Sequence, residues 1–353
     1  MRGAKAAWAL LFLLLLPAGA FAKQRVGRMI QELEKAKGLQ QIPIIRTLGR
    51  SANSEAVEPL LRIFDIQKSN QRVSAAIVEA LGKLKDKRAV DSLIAAWDYL
   101  NSLKLQLGGD MPAQLQVMRA GIVEALGEIG AEKASPVLLD ALGDTDAMVV
   151  ERAARALGKA KDKRALDGLI ALLNRGGNLA QAGYEALAEI GDARAVSHVE
   201  RGLANEDMVV RLQAAYAIAR IGKSDQDGEY MLIQALGNDR ENPRTRILAA
   251  YYLTKLNSRA GLSYLVDVLE RGAEQNRLLA AEALGKSKHK RAAVYLAESV
   301  YSSDPQLRMI IARSLGHVGG PRAVAALRYL TEDGNASVKS AARQTLAELG
   351  ENP

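Results

Sequence analysis

At ten points along the chain an apolar residue stands in the same local phrase: Leu48, Leu81, Leu126, Leu157, Leu187, Ile218, Leu253, Leu284, Leu315 and Leu346. The intervals between them are 33, 45, 31, 30, 31, 35, 31, 31 and 31 residues. At its clearest the phrase is nearly verbatim, as in ALGKLKDKRAV at 80–90, ALGKAKDKRAL at 156–166 and ALGKSKHKRAA at 283–293. A period near 31 leaves each unit too short to enclose a core. Each must bury its apolar face against its neighbours, so the sequence specifies an array of stacked units rather than conventional globular domains.

Each unit reads as two helices. In residues 304–331 the chain is DPQLRMIIARSLGHVGGPRAVAALRYLT, with Asp304 placed to cap a helix and Pro305 just inside it. Leu307, Ile310, Ile311, Leu315 and Val318 follow helical spacing, Gly319-Gly320 ends the run, and Pro321 opens a second helix carrying Val324, Leu327 and Leu330. Alanines before the marker residue, and the glycine after it at 82, 127, 158, 285 and 316, let neighbouring helices approach closely. Aromatic residues are only 4% of the chain. The abundant Ala and Leu favour helix because they lose little side-chain freedom in it.

The stretches VVRLQAAYAIARIG at 209–222 and LAEIGDARAV at 187–196 carry the two halves of a known pattern. Over residues 39–349 the chain resembles the short HEAT-like repeat proteins of the phycobilin-lyase type. The ankyrin T-P-L-H and tetratricopeptide W-x-x-L-G signatures are missing. The resemblance implies an all-α, right-handed α-solenoid (an α/α superhelix) of about ten helical pairs, with the second helix of each pair on the concave surface. Basic residues recur seven positions before the marker (Arg119, Arg211, Arg246, Arg277, Arg308, Lys339) and seven after it (Arg88, Lys133, Arg164, Arg194, Arg291, Arg322). The expectation for them is a ladder of Asp–Arg pairs and helix caps that fixes the stacking register.

Residues 1–22 read as a secretory signal. Arg2 and Lys5 precede the apolar run Ala6–Leu16, and Ala20-Phe21-Ala22 offers a cleavage site. An uncleaved anchor is the alternative, though a bilayer span needs about 20 apolar residues. The expected organisation is a signal peptide at 1–22, a capping helix at 23–38, the solenoid at 39–349 with a helical-hairpin insertion at 101–116, and a tail at 350–353. The protein is expected to be periplasmic or extracellular after cleavage near Ala22. Losing Arg2 and Lys5 takes the formal net charge from +8 to +6. That excess is too mild and too scattered for a nucleic-acid binder. The chain has no cysteine, so disulfides, thiol chemistry and Cys-based metal sites are excluded.

Candidate working residues lie where the repeat is broken or decorated. The 45-residue interval reads as a longer helical hairpin, with Trp97 and Tyr99 either packed within it or presented to a partner. On the second helices, Tyr230, Tyr264, Tyr295, Tyr329 and His198 fall at or near one repeat position, as inter-repeat packing or as anchors in a binding groove. The lysines of the repeated phrase (Lys83, Lys85 and Lys87; Lys159, Lys161 and Lys163; Lys286, Lys288 and Lys290) form either a solvated edge or a contact for anionic polymer or membrane. The three histidines lie in three different repeats and none precedes a Glu, and no zinc, phosphate-loop or calcium motif occurs. The expectation is therefore a non-enzymatic exported scaffold with no catalytic residue, metal or cofactor, binding a protein partner along its concave face. The alternative is a binder of anionic envelope polymer or membrane surface.

Overall fold

The computed structural model describes residues 18–65, 70–222 and 227–351, with side chains from Gln24 onward. The leader reading therefore falls largely outside the described residues, as do the last two residues of the expected tail. Among those described there are twenty α-helices and no strand. The first, α1 (Ala18–Lys35), covers most of the expected capping segment, starts before it, and packs on the next helix with Val26 and Leu33 buried.

The ten marker residues fall one to each even-numbered helix: α2 (Gln41–Arg50), α4 (Gln71–Leu84), α6 (Ala113–Ile129), α8 (Ala147–Ala160), α10 (Gly177–Ile190), α12 (Met208–Ile221), α14 (Pro243–Lys255), α16 (Glu274–Ser287), α18 (Pro305–Val318) and α20 (Ala336–Glu348). None is more than 1% exposed. The odd-numbered helices between them are α3 (Val57–Ile63), α5 (Val90–Gln106), α7 (Ser135–Ala141), α9 (Leu166–Leu172), α11 (Val196–Glu200), α13 (Gly228–Gly237), α15 (Arg259–Arg271), α17 (Ala292–Glu298) and α19 (Pro321–Leu330). Most are shorter. The fold is an all-α solenoid of stacked helical pairs, and the chain divides into two compact units between Leu138 and Leu139.

Within each unit consecutive even helices pack directly on one another. The glycine after the marker makes this approach close. A Cβ added at Gly82 would lie 2.8 Å from the Ala125 Cα, at Gly158 2.7 Å from the Ala186 Cα, and at Gly285 2.7 Å from the Ser314 Cα. The expected result for Gly158→Ala is a net loss of about 1–3 kcal/mol in a urea titration. Overpacking against backbone outweighs the roughly 1 kcal/mol that alanine gains as a helix former.

Four residues after every marker the backbone is left-handed. Ala52, Lys85, Lys161, Asn257 and Lys288 hold φ between 51° and 64°, and Gly130, Gly191, Gly222, Gly319 and Gly350 occupy the same place in the other five units. This residue ends each even helix and turns the chain toward the odd one. Lysine there works against the clash of its Cβ with backbone, so Lys161→Gly is expected to raise stability by about 0.5–1 kcal/mol, read as a higher urea midpoint.

The charged ladder has two parts. Asp86, Asp162 and Asp192 each cap the following turn and grip Arg88, Arg164 and Arg194 two residues on, at 2.7–3.1 Å. Those guanidinium hydrogen bonds hold Asp86 and Asp192 below the usual carboxylate range. These pairs lie within one turn, not between units. Contacts between repeats come from Arg88, which also donates to Ser54 O at 2.7 Å, from Arg308, which grips Asp333 at 2.7 and 2.9 Å, and from arginines seven before the marker that donate to carbonyls at the end of the preceding odd segment. Arg246 reaches Leu236 O, Arg277 reaches Leu269 O and Arg308 reaches Ser302 O, at 2.9, 2.9 and 2.6 Å.

The long interval becomes a hairpin of two 17-residue helices, α5 and α6, with the chain reversing at 107–112. Trp97 is 2% exposed and lies under the guanidinium of Arg119, whose carbon is 4.7 Å from the ring centre. Arg119 is itself buried and donates twice to the Asn101 side chain, at 3.0 and 2.6 Å. The docking role considered for Trp97 is thus corrected: the ring packs inside its own hairpin. Tyr99 is half-buried on the same helix.

Candidate functional site

The side chains two before and two after each marker are four residues apart, so they share one face of an even helix. In residues 139–353 those faces converge. Arg155, Glu185, Tyr216 and Tyr251 from the first position and Glu189, Arg220, Lys255, Lys286 and His317 from the second line one cavity of about 730 Å³, reached from α8 through α18. Lys288 stands at its edge.

Lys255 is the centre of this arrangement. From α14 its ammonium passes 4.7 Å from the centre of the Tyr216 ring on α12 and reaches Glu185 on α10 at 3.3 Å, spanning two repeat intervals. The Tyr251 ring centre lies 5.6 Å from the same ammonium. Both charged side chains are mostly covered, 17% and 21% exposed. Burial opposes the charge of Lys255, but the Glu185 carboxylate and the Tyr251 and Tyr216 phenols outweigh it and hold the ammonium above the ordinary lysine range. Burial, with Glu185 beside it, pushes the Tyr251 phenol up to about 12. Tyr216 is raised by burial as well, and its ring stacks on Tyr252 at 4.8 Å.

Around this core the charges pair locally. Arg155 meets Glu151 at 2.6 Å, Arg220 meets Glu189 at 3.4 Å and Lys286 meets Glu282 at 2.6 Å. The site can present fixed positive charge and the half-buried Tyr251 to a ligand, while Tyr216, 1% exposed, serves as the floor beneath Lys255. Among the described residues no group of three His, Asp or Glu stands close enough to hold a metal, and no helix is long and apolar enough to cross a membrane.

The tyrosines singled out from the sequence lie elsewhere. His198 (α11), Tyr230 (α13), Tyr264 (α15), Tyr295 (α17) and Tyr329 (α19) all belong to odd helices, and none lines the cavity. Tyr230 and Tyr329 are 57% and 55% exposed, and Tyr329 meets Tyr301 edge-on at 5.1 Å. Tyr264 and Tyr295 are half-buried, the former beneath Arg246 at 5.2 Å. His198 contacts Arg201. This cavity is lined by the Ala- and Gly-rich even helices, which pack closest and whose faces converge, while Tyr230 lines a separate cavity of about 690 Å³ with Met231 and Arg211.

The nine lysines are all exposed. Lys83, Lys85, Lys163 and Lys286 already meet Glu79, Glu128, Asp192 and Glu282 at 2.7, 2.9, 3.5 and 2.6 Å. Lys87, Lys159, Lys161 and Lys290 stand at the surface, and Lys286 and Lys288 alone among the nine line the cavity. Tyr216, Tyr251 and Lys255 were missed, although a signal existed: tyrosine twice replaces a charged residue two before the marker.

This architecture defines a class. The chain belongs to the HEAT-repeat family, whose description matches residues 28–102, 113–180, 203–285, 229–308 and 262–347. Within it, the chain is homologous to phycocyanobilin lyase subunit alpha. It is 31% identical to that protein of Nostoc sp. over 202 residues, covering 53% of this chain and 71% of the relative. It is 26% identical to the Picosynechococcus sp. protein of the same name over 204 residues, covering 54% and 74%. A solved complex of CpcE and CpcF of phycocyanin lyase from Nostoc sp. matches with a TM-score of 0.43 at 22% identity, over 81% of this chain and 94% of that one. The expectation of a non-enzymatic protein is overturned by the two named relatives, which are subunits of a lyase.

Proposed function

We infer that the chain is an exported HEAT-repeat subunit of lyase type, that it works together with a protein partner, and that the even-helix cavity of residues 139–353 is where it engages what it binds. The observation that carries this reading is the convergence on one cavity of Lys255, Tyr216, Tyr251 and Glu185 from three consecutive even helices. A buried ammonium flanked by two phenol rings is costly to assemble and adds nothing that an apolar contact would not supply to packing. The relatives are named as subunits of a lyase, which supports a partner chain. The polymer-binding alternative is weaker, since four of the nine lysines it relies on are already paired.

The test is cross-linked affinity capture from the envelope fraction with residues 23–353 as bait. Wild type is compared with an Arg220→Glu plus Lys288→Glu variant and with Tyr264→Ala plus Tyr295→Ala. One defined protein is expected with wild type and with the tyrosine variant, and at least tenfold less with the charge-reversed cavity. Retention by the cavity variant with loss in the tyrosine variant would move the working surface to the odd helices and sink the reading.

A further inference from the structure

The cavity's charges do not cancel. Of the five cations that line it, Arg155, Arg220, Lys255 and Lys286 each meet a carboxylate within 3.4 Å. Lys288 has no acidic partner among the described residues. Its backbone is at φ 53° in the left-handed position that six of the ten units give to glycine or asparagine; Lys85 and Lys161 hold the same position in two other units, and of the three Lys288 alone lines the cavity. The interior shows what such a side chain can hold, for the Glu185 carboxylate is already paired with the Lys255 ammonium at 3.3 Å.

The geometry points to a carboxylate-bearing ligand as what the cavity binds, met by the exposed Lys288 in a lining that also holds Lys286 and Arg220. This rests on the cavity being the working site. An incoming carboxylate meets Lys288 without displacing any internal pair. It can then compete with Glu189 for Arg220 and with Glu282 for Lys286, whose side chains are 39% and 57% exposed. The volume of about 730 Å³ lies within the range of roughly 300–1,000 Å³ typical of small-molecule sites, and it also admits a few residues of an extended peptide. The carboxylate can therefore come from a free organic acid or from an acidic segment of the protein partner.

Calorimetric titration of residues 23–353 at low ionic strength separates the two sources. The probes are glutarate, acetyl-triglutamate amide and, as the uncharged control, acetyl-triglutamine amide. At least one anionic probe is expected to bind ten times more tightly than the control, and to weaken fivefold or more in Lys288→Gln and in Arg220→Gln. Both positions are exposed, so unchanged circular dichroism and urea midpoint should confirm that the variants are folded. Tight binding of the peptide alone assigns the ligand to a protein segment, and equal binding of glutarate assigns it to a free acid. If the control binds as well as both anionic probes, or if the variants bind unchanged, the proposal is wrong. The two readings fail separately. Cavity-dependent capture of a partner that the triglutamine amide displaces as well as triglutamate would leave the cavity reading standing and remove the carboxylate. Anion binding without cavity-dependent capture would do the reverse.

Discussion

Replacing Trp97 by alanine is expected to cost about 3–5 kcal/mol, the largest loss of any single substitution in the 45-residue interval. The ring is 2% exposed and is the platform for the buried Arg119 guanidinium. Its removal opens a cavity and takes away the aromatic face against which that charge is buried, so two penalties fall together. Trp97→Phe keeps a ring at the same place and is expected to recover more than half of the loss. Unfolding in urea followed by circular dichroism measures both, since Trp97 is the only tryptophan beyond residue 22. Should Trp97→Ala abolish partner capture while leaving the urea midpoint unmoved, the hairpin would be a docking element after all.

Lys255→Met is expected to cost about 2–3 kcal/mol and to abolish ligand engagement at the cavity. The methionine fills similar volume, but Glu185, only 21% exposed, is left without its cation. The companion Glu185→Leu in the same chain removes that stranded charge and is expected to restore most of the stability and none of the binding. The pair also sets an alkaline limit. Lys255 and Tyr251 both titrate above their ordinary values in the folded protein, so the stability they contribute is fully present below about pH 10 and is lost as pH rises from there through about 12 and beyond. The wild type is expected to lose stability steeply across that window and Lys255→Met to lose less, with phenolate absorbance at alkaline pH as the readout. Equal alkaline slopes in the two proteins would show that the pair is not coupled to folding.

The period of 31 made the fold legible, because it located every buried marker and placed glycine where even helices touch. The site was less so. A tyrosine on the short odd helices looks like an anchor in sequence, since those helices carry few apolar residues to hide it. Tyr216 and Tyr251 lie in AAYAIARIG and AAYYLTKL, where the alanine pair before each suggests simple packing. Their meaning comes from Lys255 and Glu185, 70 positions apart, whose meeting depends on how successive helices bend toward each other. No local pattern reports that bend. Lys286 and Lys288 were found for their charge, while the cavity they border depends on the same bend. The lyase-type resemblance was legible in VVRLQAAYAIARIG and LAEIGDARAV, and only the activity was set aside, because a catalytic motif was sought within one chain while the relatives are named as subunits.

In an array whose members touch only their neighbours, each can loosen without consulting the one after next. The bridge from Lys255 over Tyr216 to Glu185 breaks that independence, for it fastens α10 to α14 across α12. Those three helices then open and close as a block, and the middle one cannot slide without dragging a charge off its counter-ion. A repeat protein of this kind is not equally supple along its length. The stretch from α10 to α14 is a stiff vertebral segment, and the cavity sits on it.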